Sequence, residues 1–457
     1  MTFTQGLINA RSHIIFILGL FASFGLVFYL DNLDLQATQK PITNQIDIVV
    51  SKDIPKPLQG DLTPEELQWG KIAWTYFRNN YQPKTGLVNS VDEYPAASMW
   101  DTASYLMALI AAQRLQLIDN TEFDEKLGKA LQSLAKLPLF DGQLPNKSYN
   151  TITLQMVDYK NNVSERGVGW SAIDVGRVLV PLNIITWNYP KFMPEVRAII
   201  KQWQLDKLLI NGELHGATVD TATNKTQYVQ EGRLGYEEYS AKSFNLLGMD
   251  VSKSSNYKDY LSYVDIYGID IPIDKRDPEK FNAHNYVVSE SYILDGLEYG
   301  WDYTSKEFAY RIFKAQEARF KDTGQVTAVS EDNIKDDPYF VYNTVYTDGK
   351  AWNTITEKGE DASQFKTIST KAAIGWSILY QTPYRDTLLG AVKQLYDPAK
   401  GWYSGYYEVL KKPNIALTAN TNAIILEALC FKKFGRLLAI YPDVVTEEKS
   451  SKKTGKS

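Results

Sequence analysis

Ser98–Ala111 reads SMWDTASYLMALIA. Ala103, Leu106, Met107, Ile110 and Ala111 follow the i, i+3, i+4, i+7, i+8 spacing that lines one face of an α-helix. Ser98, with Asp101 three residues on, fits the capping box that starts such a helix. The same kind of start recurs outward from this stretch. Thr63-Pro64-Glu65-Glu66 combines an N-cap, a Pro at the first helical position and an acid that can close the box. Thr121-Glu122-Phe123-Asp124 and Ser171-Ala172-Ile173-Asp174 open two more helices. About twelve starts can be read, near residues 64, 99, 122, 170, 194, 233, 254, 289, 305, 369, 383 and 418. Long loops rich in Gly, Tyr and Trp fall mainly before every second one, and short β-like pieces, Thr151–Val157 and Ile266–Ile273, interrupt them. The expected fold is therefore all-α: helical hairpins closed into an (α/α)6 toroid, with minor β pieces in the loops. An open helical solenoid competes, but the units share no fixed repeat length.

The ends of the chain read differently. Ile14–Leu30 (IIFILGLFASFGLVFYL) carries no charge. As a helix it would rise roughly 25 Å, close to the thickness of a bilayer core of about 30 Å. Arg11 precedes it and Asp31 and Asp34 follow, a bias that leaves the N-terminus in the cytoplasm and the body outside. A cleaved signal peptide is the rival, but its apolar core is usually shorter and ends at small residues. The expected organisation is a cytoplasmic start and transmembrane anchor over 1–30, a linker over 31–60, the toroid over 61–440 and a charged, disordered tail over 441–457. The expected location is a single-pass inner (cytoplasmic) membrane protein whose body is extracytoplasmic or periplasmic.

Composition narrows the chemistry. Cys430, His13, His215 and His284 are the whole supply of Cys and His, too little for a zinc site of those ligands. With 54 acidic against 49 basic side chains, a basic nucleic-acid surface is not expected. No Gly-rich phosphate loop or G-x-S-x-G elbow is present. Neither a cofactor nor a metal is expected. Aromatic residues make up 13% of the chain, with ten Trp and 30 Tyr.

Many of these aromatics stand beside carboxylates at the loop-to-helix junctions. The junctions are Trp100-Asp101, Trp170 to Asp174, Glu231-Gly232-Arg233 to Tyr236-Glu237-Glu238, Ser289-Glu290, Ser330-Glu331-Asp332 and Trp402 to Glu408. In a toroid such junctions face the central funnel. Aromatic faces stack on sugar rings, and two carboxyl groups divide the acid and base work of glycoside cleavage. Glu238, between Tyr236 and Tyr239, is the expected general acid, with Glu231 as runner-up and Glu408 as base. Asp101, Asp174, Trp100, Trp170, Arg233, Tyr236 and Trp402 are the expected sugar-binding residues.

Structural readings compete at every position. Asp101 and Asp174 can each serve as a cap, Glu231 and Glu238 as surface charges, and Trp170 and Trp402 as core plugs. Glu427, the one charge in the apolar run Ala423–Cys430, reads as a buried residue needing a partner. His215 and His284 read as loop residues.

Three motifs carry a resemblance: Glu231-Gly232-Arg233-Leu234-Gly235-Tyr236, Thr327-Ala328-Val329-Ser330-Glu331-Asp332 and Leu417-Thr418-Ala419-Asn420-Thr421-Asn422-Ala423. From about Leu67 to Gly435 the chain resembles a bacterial membrane-anchored family, number 3131 among the domains of unknown function. More distantly it is similar to glucoamylase-like β-1,2-glucanases, which are (α/α)6 toroids. Their Ser-Thr-Ile-Asp helix start corresponds to Ser171-Ala172-Ile173-Asp174. Their Tyr-x-Glu before an apolar helix corresponds to Tyr236-Glu237-Glu238. This resemblance implies an acid role for Glu238 and sugar contact for Asp174. Where those enzymes carry an acid before the last helix, this chain has Asn420-Thr421-Asn422. The expected activity is an inverting glycoside hydrolase acting on an envelope or exported polysaccharide. Two alternatives stay open: a polysaccharide lyase using Tyr286 or Tyr236 with His284 or Arg233, and a non-catalytic glycan-binding or scaffold protein.

Overall fold

The computed structural model describes residues 48–440, apart from 221, 282 and 283, together with Gln5, Leu20 and Ser23. Of the apolar segment Ile14–Leu30 only Leu20 and Ser23 are described, and the tail 441–457 lies outside the described residues. No helix among the described residues is long and apolar enough to cross a membrane. The chain divides into two units, Met1–Ile48 and Val49–Ser457, and the second holds the fold.

Twelve helices occur among the described residues. They are α1 (Pro64–Asn80), α2 (Met99–Arg114), α3 (Asn120–Leu134), α4 (Ala172–Asn188), α5 (Met193–Gln202), α6 (Tyr236–Leu246), α7 (Pro278–Phe281), α8 (Glu290–Leu294), α9 (Tyr303–Thr323), α10 (Thr370–Leu379), α11 (Tyr384–Val392) and α12 (Ala419–Phe434). The starts follow the capping residues in the sequence. Thr63 and Glu66 exchange the two bonds of a capping box. Ser98, Ser171 and Thr418 each accept an amide of the first turn through the hydroxyl. Gly324, in the left-handed region at φ 73°, ends α9.

The even-numbered helices form a closed inner ring: α2 packs on α4, α4 on α6, α6 on α8, α8 on α10, α10 on α12, and α12 on α2. Apart from α6, which carries Glu237, Glu238 and Lys242, they are largely apolar and mostly buried, as a ring covered on its outer side requires. Outer helices cover it, α1 against α12, α3 against α2, α5 against α4, α9 against α8 and α11 against α10. The first helix thus meets the last, which distinguishes a toroid from an open solenoid. Lys432 of α12 lies 2.6 Å from Glu66 of α1, both buried. Gly70 of α1 lets Leu426 and Leu429 approach, since a Cβ there would meet Leu429 at 3.4 Å.

One outer position departs from the expected pattern. The helix expected near 254 is replaced by the antiparallel hairpin Leu261–Ile266 and Ile269–Asp274, which packs on α9. Its β-branched residues favour strand, and Tyr267 and Gly268, both at positive φ, make the tight turn between the strands. Small antiparallel sheets of two to four strands occupy the other long loops. Val49–Gly60, expected within a linker, is tied to the body. Ser51 donates through its amide and hydroxyl to Glu307, and the Leu58 amide donates to Ile378 O at 2.7 Å.

The ring is closed at one end and lined with polar groups at the other. After α12 the chain turns beneath the C-terminal ends of the inner helices. There the Leu437 and Leu438 amides donate to Leu297 and Glu298 carbonyls, and Arg114 Nη1 donates to Leu437 O at 3.1 Å. In the middle of the ring Arg177 bonds Glu298 at 2.6 Å, Tyr239 OH at 2.6 Å and Glu427 at 3.3 Å, all without solvent exposure. Glu427 therefore has the partner its apolar helix requires. Burial, and then the neighbouring Glu298 carboxylate, push the Glu427 carboxyl well above its ordinary range.

Candidate active site

The site is built from the first turns of the six inner helices. Trp100 and Asp101 stand on α2, Asp174 on α4, Tyr236 on α6, Glu290 on α8, Lys371 on α10 and Asn420 on α12. Helix N-termini present free N–H groups and the positive end of the helix dipole, which favours carboxylates there.

Glu290 is the hub. Its Oε1 accepts Trp100 Nε1 at 3.0 Å and Asn420 Nδ2 at 2.8 Å, and its Oε2 lies 2.5 Å from Lys371 Nζ. Four inner helices are thereby joined at one carboxylate, which is 1% exposed. Lys371 also lies 3.7 Å from Asp332. Burial works against its charge, but Glu290, Asp332 and Glu331 more than offset this and hold the ammonium above the ordinary lysine range. Asp332 itself is pushed up to about 8 by burial, against the pull of Lys371. The Trp100 ring rests on the Arg177 guanidinium at 4.8 Å and meets Tyr236 edge to face at 5.5 Å.

Beside the hub is a carboxylate pair. Glu231 Oε2 accepts the Ala172 N–H at 2.5 Å, so the loop carboxylate is fastened to the first turn of α4. Asp174, on that same turn, has its amide bonded to Ser171 Oγ at 3.0 Å. Burial and then the Glu231 charge push Asp174 up to about 7. Burial also raises Glu231, with Lys147 opposing. Asp101 accepts the Ser98 hydroxyl at 2.7 Å and is raised by burial. Two like charges in one partly buried site cannot both ionise cheaply, so the pair retains a proton near neutrality.

A glycine sets the position of Glu231. A Cβ on Gly216 would meet Glu231 Oε2 at 2.6 Å. The Tyr286 and Tyr342 rings stack in parallel with centroids 3.8 Å apart.

Of the residues expected to carry sugar chemistry, the structure brings together Trp100, Asp101, Asp174, Glu231 and Tyr236. Others are engaged elsewhere. Glu238 accepts the Gly235 amide at 2.7 Å as a cap of its own helix, and burial followed by the Glu237 charge pushes it up to about 8. Glu408 is bound by both terminal nitrogens of Arg319, at 2.6 and 3.0 Å. Trp170 is buried between Phe140 and Tyr228, with its Nε1 donating to His215 O. Trp402 is buried against Trp69, with its Nε1 donating to Trp69 O. Neither Trp170 nor Trp402 offers a ring face to a ligand. Arg233 donates to Gln230 Oε1 and to the carbonyls of Gly232 and Phe281. His284 Nδ1 lies 3.0 Å from Asp348.

Sequence reasoning assigned no role to Lys371, Asn420, Asp332 or the hub carboxylate Glu290. Lys371 is the one charge in the apolar helix Thr370–Leu379. The argument that marked Glu427 would have marked it too.

The fold is a glucoamylase-like (α/α)6 toroid with acidic side chains gathered at the N-terminal ends of its inner helices. The chain belongs to the family described as "Protein of unknown function (DUF3131)", whose profile matches residues 68–435. Solved structures agree on the fold. A candidate glucoamylase from Bacteroides caccae ATCC 43185 superposes at TM-score 0.57 with 13% identity, over 84% of this chain and 97% of that one. The endo-β-1,2-glucanase of Chitinophaga pinensis, solved with sophorotriose and glucose, gives 0.56 at 12% identity over 85% and 98%. The endo-β-1,2-glucanase of Talaromyces funiculosus with sophorose gives 0.52 at 12% identity over 85% and 86%. No curated protein matches the sequence.

Proposed function

We propose that this protein is an inverting glycoside hydrolase acting on an envelope or exported polysaccharide. The reading rests on the Asp174–Glu231 pair, gathered at one inner helix start of a toroid whose structural relatives include glucanases, with Trp100 and Tyr236 on neighbouring helix starts. Glu231 is the general acid, and Asp174 beside it keeps a proton on the pair near neutral pH. Asp101, partly exposed and tied by Ser98, takes the base role first expected of Glu408. The glycosidic C–O bond breaks as the Glu231 proton passes to the leaving oxygen. Water attacks the sugar carbon from the opposite face and gives its proton to Asp101. Trp100 and Tyr236 offer ring faces to the sugar, and Asn420 and Glu290 a polar floor.

The lyase alternative is less favoured, since both terminal nitrogens of Arg233 donate to Gln230 and backbone carbonyls and His284 Nδ1 faces Asp348 at 3.0 Å. The body is held outside the cytoplasm by Ile14–Leu30, on the charge bias around that segment. The test is incubation of the full chain with a panel of linear glycans of varied linkage, read by mass spectrometry. New reducing ends support the reading. Saturable binding with no new ends favours the glycan-binding alternative instead.

A further inference from the structure

Lys371 is the one charge on α10 and is 3% exposed. It stands in the first turn, where the helix dipole disfavours a cation. Replacing a buried ion pair by apolar side chains often leaves stability unchanged or improved. Stability alone therefore does not account for a lysine at this position. Its contacts do. Lys371 Nζ lies 2.5 Å from Glu290 Oε2 and 3.7 Å from Asp332 Oδ1, which accepts the Ser369 hydroxyl at 3.1 Å. The ammonium takes Oε2 and leaves Oε1 to two N–H groups from two other helices, Trp100 Nε1 at 3.0 Å and Asn420 Nδ2 at 2.8 Å. A carboxylate oxygen has the lone pairs to accept both. The buried members of this group are Glu290 and Lys371, and the half-buried ones are Trp100 and Asn420. The Trp100 indole is also held across its face, by the Arg177 guanidinium at 4.8 Å, which Glu298 and Glu427 fix in turn.

We propose that Lys371 is a positioning residue: by pairing with Glu290 it fixes the Trp100 ring and the Asn420 amide as a preformed floor for a sugar unit. The sugar's part in this rests on the glycan-active reading, and the positioning rests on the bonds themselves. A ring and an amide already held in place lose little freedom when a ligand settles on them, so less of the binding energy is spent on ordering them. Without the ammonium, Glu290 is a buried carboxylate lacking its counter-charge, and the two N–H groups lose the fixed acceptor that aligns them.

The test is hydrogen exchange of the indole N–H groups, followed by NMR in the full chain, with Trp100→Phe assigning the Trp100 signal. In Lys371→Met the Trp100 N–H should exchange at least about tenfold faster than in the parent. Two buried indoles serve as controls: Trp376, also on α10, donates to Ser289 Oγ, and Trp402 donates to Trp69 O. Their rates should stay within about twofold of the parent's, which a general loosening of the fold would not allow. A double variant, Glu290→Gln with Lys371→Met, removes both charges and decides the matter if the single variant fails to fold. It should show the same acceleration, because the amide at 290 is no longer tied to α10. Parent-like protection of Trp100 in the folded variant, or equal acceleration of all three indoles, overturns the inference. At equal folded concentration, the KM for a panel glycan that the parent cleaves should rise about tenfold while kcat stays within about threefold. An unchanged KM overturns the sugar-floor role. No cleavage by the parent overturns the glycan-active reading and the floor's role with it, while the exchange rates still decide whether Lys371 positions Trp100.

Discussion

Glu231 Oε2 accepts the Ala172 N–H at 2.5 Å, and this bond fastens a carboxylate from the loop before α6 to the first turn of α4, which carries Asp174. An amide that every helix start leaves without an internal partner is thereby satisfied by a residue 59 positions further along the chain, in the loop before α6.

Gly216→Ala should separate position from stability. The new methyl group meets Glu231 Oε2 at 2.6 Å, the far end of a flexible side chain, so the carboxylate can swing away at little cost to folding. Turnover should fall about 10²-fold, as misplacing a reacting group by roughly 1 Å can do. The melting temperature should stay within about 2 °C of the parent. Parallel kinetics and calorimetry check this.

The Asp174–Glu231 pair should set the alkaline limb of the activity profile. Its proton must be present for catalysis, so activity should decline as pH rises through about 7. Removing the Glu231 charge should lower the Asp174 carboxyl. In Glu231→Gln, any residual activity should then fall off at lower pH. The linkage to stability has a definite sign. The folded state raises Asp174 above its ordinary value near 3.8, so its contribution is full below about pH 4 and is lost as pH rises through about 7. Asp174→Asn should therefore gain stability relative to the parent at pH 8 compared with pH 4, measured by urea unfolding at both.

Arg177→Met should destabilise the fold by about 3–5 kcal/mol, because Glu298 and Glu427 lose a buried counter-charge. Chemical denaturation measures this, and a loss below about 1 kcal/mol would contradict the network's role.

Glu238→Ala should act on the helix alone. Its carboxyl caps Gly235, so about 1 kcal/mol of stability should be lost while kcat changes less than twofold. Kinetics of this variant separate Glu238 from the acid role that its neighbouring tyrosines suggested.

The toroid was legible because Thr63, Ser98, Ser171 and Thr418 mark helix starts and the inner helices repeat apolar residues at helical spacing. The second strand of the hairpin after α6 was legible as the β-like piece Ile266–Ile273, but its first strand, Leu261–Ile266, was hidden behind a helix start near 254 because Tyr257–Leu261 carries no strong breaker. At the site, Trp100, Asp101, Asp174, Glu231 and Tyr236 were readable as junction residues. Trp170 and Trp402 misled because Gly next to an aromatic marks a close approach as readily as an exposed platform. At Gly169 a Cβ would meet Ala217 O at 1.9 Å, so that backbone is packed tight and Trp170 turns inward. Glu408 could not be excluded from sequence, since its partner Arg319 is 89 residues away. The Glu290 hub needs four helices brought to one point, which no local pattern encodes.

The central claim is that Glu231, held beside Asp174, donates a proton to a glycosidic oxygen. The most direct measurement is the release of reducing ends from whichever glycan of the panel is cleaved, by the full-length parent and by Glu231→Gln at equal folded concentration. The account predicts cleavage by the parent and a loss of about 10²-fold or more in kcat for Glu231→Gln, with a far-ultraviolet spectrum like the parent's. Cleavage by Glu231→Gln at the parent rate would contradict it.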